Sequence, residues 1–428
     1  GCGDRTNRDV PASEVRQASY RDRPADEFLD AVVARSRNSA SYHDEASVRI
    51  SYDNDGRWES RTEPLNVWFD QDQLHVRAYT LSLWSSRQSV NAWVNDPLTA
   101  DFDSQVLQVP SIEGRPSLES LLSDEILVER LGAGLAGPPP QLEWLFAAEP
   151  MRRLFDSDHH FRFGTDRDID GFPCLSVEVD AAGESFRFWI DRSLGLIRRV
   201  DMPPVVSPAA QDLPAEIQRS LELKGASFVT PAAGPSFAPL PARPTDVHRF
   251  VPLPPIEPPR VLGTRATRFR LASSDTRLTL TEKGADRAVT VLLLSDAAAR
   301  SNTAFGVLQH WVGMMNPALR ERVRVLVVFS ESASSFIPDD PALPIVVDAG
   351  GTVATAYQMR PGSVVVLRPG GEVGWVQPEL NAESLVNLGA IVGDVLEGID
   401  VPQRLHDQWK AAVAEYQTEL ERQRISAN

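Results

Sequence analysis

The chain has 428 residues, 42% of them hydrophobic and 24% charged, enough for two or three domains that each bury a core and unlike a disordered chain. Its net charge of −16 excludes a binder of phosphate backbones, which needs clustered Lys and Arg, so no nucleic-acid partner is expected. No run of 18 apolar residues predicts a membrane-spanning helix, and the two cysteines, Cys2 and Cys174, lie too far apart in sequence to form a Cys-x-x-Cys pair.

The chain begins Gly1-Cys2-Gly3, and residues 3–23 are polar and charged. Gly before Cys resembles the end of a bacterial lipobox, in which the Cys is diacylated; an expression scar is the plain alternative. The resemblance implies lipid attachment at Cys2, a tether over 1–19, and a membrane-anchored, periplasm-facing place in a bacterial envelope. Pro24-Ala25-Asp26-Glu27, followed by Phe28, Leu29, Val32 and Val33, predicts a capped amphipathic helix. Strand-like runs follow at 46–52, 65–69, 73–83, 89–93, 104–109, 161–164, 174–179, 185–190 and 196–200. Turn residues at 54–56, 70–72, 181–183 and 193–195 separate several of them. A helical insert is predicted at 117–130 and 141–148, with a short turn from Met151. Antiparallel strands with one helical insert predict a half-open β-barrel over 20–203.

The residues Val48-Arg49-Ile50-Ser51-Tyr52, Val67-Trp68-Phe69, Phe188-Trp189-Ile190-Asp191 and Leu196-Ile197-Arg198-Arg199, with the opening helix, resemble the LolA/LolB-like domains of periplasmic lipoprotein carriers. That resemblance implies a concave, helix-covered sheet face that binds acyl chains of a lipid or lipoprotein. Its cavity candidates are Trp68, Phe69, Tyr79, Leu81, Leu83, Trp84, Trp93 and Trp144. Core filling is the plain alternative for each, since large aromatics are usually buried.

Fourteen of the 33 prolines fall between Pro203 and Pro259, which predicts a Pro-rich linker over 204–260 with one helix at 215–223. Beyond it, the apolar runs at 288–294 and 323–329 predict strands buried on both faces, with 345–347 a shorter element. Helices are predicted at 302–315, 352–357 and 382–396, and a hairpin at 363–376 around Arg368-Pro369-Gly370-Gly371. This order, and the run Val364-Val365-Val366-Leu367-Arg368-Pro369-Gly370-Gly371-Glu372-Val373-Gly374-Trp375, resemble the thioredoxin-like superfamily, in its redoxin and TlpA-like branch, over 261–400. Active members place Cys-x-x-Cys after the first core strand, where a helix N-terminus lowers a thiol pKa. Here that place reads Ser295-Asp296-Ala297-Ala298-Ala299-Arg300-Ser301-Asn302, and Pro361 is displaced from the usual cis-proline position by Gly362 and Ser363. The chain closes at 401–428 on a predicted amphipathic helix with Leu405, Trp409, Val413, Tyr416 and Leu420 on one stripe. That stripe is expected to dock on its own domain, and a partner-binding surface is the sharper option.

Asp156-Ser157-Asp158-His159-His160 is the one compact cluster with metal-ligand chemistry, and without Cys or His-x-x-x-His spacing it predicts a solvated loop and no metal. No cofactor fingerprint appears, and Cys174 is expected to be a small buried hydrophobe. The combination predicts a non-enzymatic envelope lipoprotein, resembling planctomycete-type envelope proteins, that binds an apolar ligand and uses a redox-inactive thioredoxin-like module for protein binding. The alternatives are an envelope thiol-disulfide oxidoreductase or peroxidase relative, and a structural subunit of an envelope complex.

Overall fold

The structure is a computed structural model describing residues 22–54, 57–85, 88–95, 104–110, 114–155, 158–181, 183–205, 217–231, 240–241, 243–265, 270–272, 277–279, 288–296, 299–330, 343–348, 351–357 and 359–425. Cys2 and the tether lie outside them. Two compact units are present. The first comprises the described residues up to 205, 217–253 and 417–425, the second those within 254–416.

In the first unit, α1 (Ala25–Asn38) has Asp26 and Glu27 in its first turn and Arg35 and Arg37 in its last, complementing the helix dipole, and buries Phe28, Leu29, Val32 and Val33. Six strands follow as a meander: β1 (Ser41–Asn54), β2 (Arg57–Asp70), β3 (Gln73–Ala78), β4 (Leu81–Ser85), β5 (Ser89–Val94) and β6 (Gln105–Pro110). The helical insert is split into α2 (Leu118–Leu121), α3 (Glu125–Gly132), α4 (Pro140–Phe146) and a 3-10 turn, Arg152–Phe155. Ser117 and Asp124 cap the first two, which is why the expected single helix over 117–130 breaks. The chain then returns through β7 (His160–Phe163), β8 (Arg167–Ile169), β9 (Phe172–Ala181), β10 (Glu184–Asp191) and β11 (Ile197–Val205). Between β10 and β11, Asp191 accepts from Ser193 N and Leu194 N, and Gly195 adopts a φ of 60°, so the Ser-Leu-Gly turn forms as expected.

Two further strands come from the span expected to be a linker. Of residues 215–223, expected as a helix, 217–223 instead form the start of β12 (Ile217–Ser227), which pairs antiparallel with both β1 and β11, and 215–216 lie outside the described residues. Ile217, Leu221 and Leu223 are buried at alternate positions, a period of two that a helix cannot present to one face. β13 (Thr245–Val247) adds a parallel edge to β6. Residues 217–227 and 245–247 of the expected linker therefore belong to the first sheet.

The sheet order is β13-β6-β5-β4-β3-β2-β1-β12-β11-β10-β9-β7, with β8 beside β9. The strand path is a large, mostly antiparallel sheet that does not close, with β13 and β7 as its outer strands. One face carries Val48, Leu65, Val67, Phe69, Val177, Phe188, Val200 and Leu221, all buried. Phe28 of α1 and Phe146 of α4 reach this face, their rings 5.7 Å from Phe163 and 5.0 Å from Phe69.

In the second unit, β16 (Val289–Ser295), β17 (Val323–Ser330) and β18 (Ile345–Asp348) are parallel, and β19 (Val364–Leu367) and β20 (Val373–Gln377) complete one side as an antiparallel hairpin. With β14 (Arg270–Ala272) and β15 (Arg277–Thr279) the order is β15-β14-β18-β17-β16-β19-β20. Helices α5 (Ala299–Met314), α6 (Pro317–Arg322), α7 (Thr352–Tyr357) and α8 (Ser384–Leu396) interleave with the strands. This parallel core with a closing hairpin is the thioredoxin-like arrangement expected. The apolar runs are buried on both faces. Val289, Val291 and Leu293 pack with Leu308, Leu388 and Val392, while Leu292 and Leu294 pack with Leu326, Val328 and Tyr357.

The last helix, α9 (Val401–Gln423), packs Leu405 against both of those clusters, and it buries Tyr416 and Leu420. From Gln417 onward the chain groups with the first unit, where His248 N donates to Gln423 O and Ile425 N to Asp246 O.

Candidate functional site

Helices α2 and α4, the loop 136–140 and strands β9 to β12 enclose a cavity of about 690 Å³ in the first unit. That size suits one small ligand, since binding cavities run from about 300 to 1,000 Å³. Its floor is the buried sheet face. Phe188 stands opposite Val200, and Val200 opposite Leu221, so these three side chains form one cross-strand row. The roof is Leu142 and Trp144 of α4 with Leu118 and Leu122 from α2 and its C-cap. Glu143, Arg153, His159 and Glu184 also line it; all but the half-buried His159 are exposed.

A buried polar cluster holds α4 over this face. Asp44 sits at an irregularity in the β1–β12 register and is buried. Its Oδ1 accepts from Val67 N at 2.8 Å, and its Oδ2 accepts from Tyr42 Oη at 2.7 Å and from Gln141 Nε2 at 3.2 Å. Gln141 Nε2 also donates to Leu65 O at 2.8 Å, tying the first turn of α4 to β2. Burial outweighs these donors and pushes the Asp44 carboxyl up to about 6. The same desolvation, with the Asp44 charge beside it, raises the Tyr42 phenol well above its usual value.

A second anchor fixes the cavity mouth. Tyr79, at φ 56°, accepts from Ala136 N at 2.9 Å and donates to Gly137 O at 2.7 Å. Gly134 leaves room for that ring, because a Cβ there would stand 1.9 Å from Tyr79 Cε2. Arg219 closes the same corner from β12, reaching Leu135 O and Pro203 O at 3.3 to 3.4 Å.

Of the eight residues proposed from sequence for the cavity, Trp144 lines it. Phe69, Leu81 and Leu83 are buried elsewhere in the core, Phe69 beneath the Arg115 guanidinium. Tyr79 holds the mouth loop. Trp68, Trp84 and Trp93 are on the other face. Trp68 stands opposite His75 and His75 opposite Trp84, a row one residue out of phase with Phe69, Leu74 and Leu83. The residues missed by sequence are Phe188, Val200, Met202 and Leu221 on the floor, Asp44 and Gln141 beneath α4, and Arg219 at the mouth. Strand alternation at 217–223 was the available signal for β12, the last floor strand.

In the second unit, the place of the thioredoxin-like redox pair begins at the end of β16. Ser301 donates to Asp296 Oδ1 at 2.5 Å, and Ser295 and Ser301 are buried. Residues 297–298 lie outside the described set. Beside the end of β16, Gly362 N donates to Leu294 O and Ser363 Oγ to Pro378 O, so backbone and hydroxyl bonds occupy the strand entry. Cys174 is fully buried in β9 of the first unit, where burial pushes its thiol up to about 11, the opposite of a reactive cysteine. Among the described residues no three His, Cys, Asp or Glu side chains converge as a metal site, and His159 Nδ1 lies 2.9 Å from Leu154 O.

No protein-family model matches the chain, and no curated protein is significantly similar to it. Among solved structures, it is similar to a protein assigned as thiol:disulfide interchange protein DsbE from Chlorobium tepidum, at 14% identity over 32% of this chain and 97% of that one, with a TM-score of 0.26. A thioredoxin-like superfamily protein matches at 20% identity over 31% and 96%, TM-score 0.26. The pneumococcal exposed lipoprotein thioredoxin from Streptococcus pneumoniae matches at 14% identity over 29% and 98%, TM-score 0.25. At scores below 0.5 the fold reading of the second unit rests on its own strand order.

Proposed function

We propose that the protein is a non-enzymatic binding protein of the bacterial cell envelope, in which the first unit holds an apolar ligand such as an acyl chain. The cavity of about 690 Å³ carries this reading, because its floor and roof are apolar side chains from elements that the Asp44 and Tyr79 contacts hold in place. Enclosing apolar ligand surface there gains about 25 cal/mol per Å². A helix-covered sheet face that binds acyl chains is the LolA-like mode of action, and lipid attachment at Cys2 would keep such a carrier at a membrane. The thioredoxin-like unit then serves protein binding, through its own surface or α9, since the chain has no cysteine after Cys174.

The test is native mass spectrometry with lipid extraction on the full chain purified from a bacterial envelope. A non-covalent lipid retained at one per chain is expected. A bare polypeptide mass that also fails to bind an added apolar dye overturns the reading. The names of the similar structures suggest thiol-disulfide exchange as a second reading. Insulin reduction that disappears in Cys174→Ala would establish it. A stoichiometric protein partner in place of lipid would instead favour a structural subunit of an envelope complex.

A further inference from the structure

On the strands that build the cavity and on β1 beside them, arginines facing away from it are paired. Arg199 holds Asp201 at 2.6 Å, Arg187 holds Glu178 at 2.7 Å and Arg49 holds Glu222 at 3.2 Å. The buried Arg198 holds Asp191 at 2.8 Å. Arg219 differs from all four. It stands on the apolar face between Met202 of β11 and Ile50 of β1, its direct cross-strand neighbours, and has no carboxylate within salt-bridge distance among the described residues. Its contacts are the two carbonyls at 3.3 to 3.4 Å, at the long end of hydrogen-bond range. Partial burial lowers its pKa, and Glu184 and Tyr79 are the groups whose field opposes that.

A guanidinium half removed from water with only two long carbonyl contacts is under-satisfied, because its five donors suit a bidentate anion. A purely apolar floor has no need of a charge at this position, and the floor neighbours Leu221 and Met202 carry none. The other charges at the cavity, Glu143, Glu184 and Arg153, are exposed and screened by water, so they compete weakly with a group that binds inside.

We propose that the cavity takes a single-chain anionic amphiphile, its acyl chain along the Phe188–Val200–Leu221 row and its anionic head group on the Arg219 guanidinium. This rests on the apolar-ligand reading above and names its ligand class. One chain fits the volume, and a head group at Arg219 lies beside the Leu135–Gly137 loop that Tyr79 fixes. The shared chemistry is a carboxylate or phosphate on one acyl chain, from a free fatty acid or a lysophospholipid.

The experiment is displacement of a neutral naphthylamine dye from the delipidated full chain by oleate, oleoyl lysophosphatidate and methyl oleate, all below micelle formation. Wild type is expected to prefer at least one of the two anions over the ester by about tenfold or more, the gain of a charge-assisted bond, and the better anion identifies the head group. Arg219→Met is expected to keep the dye and lose the preference. Equal displacement by all three ligands in wild type, or a preference that survives in folded Arg219→Met, overturns the proposal and leaves the cavity reading standing. Wild type that binds no dye overturns the cavity reading itself. If Arg219→Met does not fold, the acid-to-ester ratio in wild type decides alone.

Discussion

The two sheets of this protein differ in how completely they are covered. In the second unit both faces of β16 are packed, so Val291, Leu292 and Leu293 are all 0% exposed and no gap is left against that strand. In the first unit one face is roofed by short helices that are held off the floor, and a cavity stays between them. A continuous apolar strand thus marks a framework, whereas an alternating strand under a helical insert leaves room for a site.

The sharpest way to break this contrast uses the same substitution on both sides. Leu293→Ala removes a side chain surrounded by packed neighbours and is expected to cost about 4 kcal/mol, near the upper end for buried leucine. Leu221→Ala is equally buried but stands on the cavity wall, where one side of the side chain already lacks partners, and is expected to cost about 2 kcal/mol. Urea unfolding of the full chain, followed separately for each unit, measures both. Equal costs would mean that the cavity wall is packed like the other core, and the two-region argument would fail.

What could be read in advance follows the same division. The framework of the second unit was legible because long apolar runs such as 288–294 need no knowledge of which face is inside. In the first unit the meander and the Ser-Leu-Gly turn were legible, but β12 was not. Its residues Gln218, Arg219, Leu221, Glu222 and Lys224 are good helix formers, and pairing with β1 and β11 overrode that local preference. Trp68, Trp84 and Trp93 went to the opposite face from Phe69 and Leu83 because a register one residue out of phase reverses every side chain. Asp44 and Arg219 were illegible for a different reason. A lone charge in a strand is normally solvated, and only the tertiary structure shows these two turned inward.

Asp44 offers a pH-dependent way to sharpen the comparison. Its carboxyl titrates near 3.8 when unfolded and near about 6 when folded, so the native state holds the proton more tightly. Its contribution is therefore fully present below the unfolded value and is lost as pH rises through about 6. The expected loss between pH 4 and 7 is about 2–3 kcal/mol of first-unit stability. Asp44→Asn should flatten that slope and leave the second unit unchanged in denaturant titrations at the two pH values. A slope that persists in the variant would assign the pH dependence to other groups.

The smallest expected effect lies at the cavity mouth and asks whether the roof is anchored or merely resting. Tyr79→Phe keeps the ring and deletes the hydroxyl that bonds Ala136 N and Gly137 O, leaving both groups to water at the loop surface. The net cost should be about 1 kcal/mol, because exposed backbone groups regain solvent partners. Gly134→Ala reaches the same contact from the other side, forcing the ring away, and should cost about 1–3 kcal/mol. If the loop is an anchor, both variants should speed amide hydrogen exchange at residues 134–137 and release a bound apolar dye faster, while exchange in β16 stays as in wild type. Faster exchange without faster release would mean that ligands enter elsewhere, and the corner occupied by Tyr79 and Arg219 would not be the mouth.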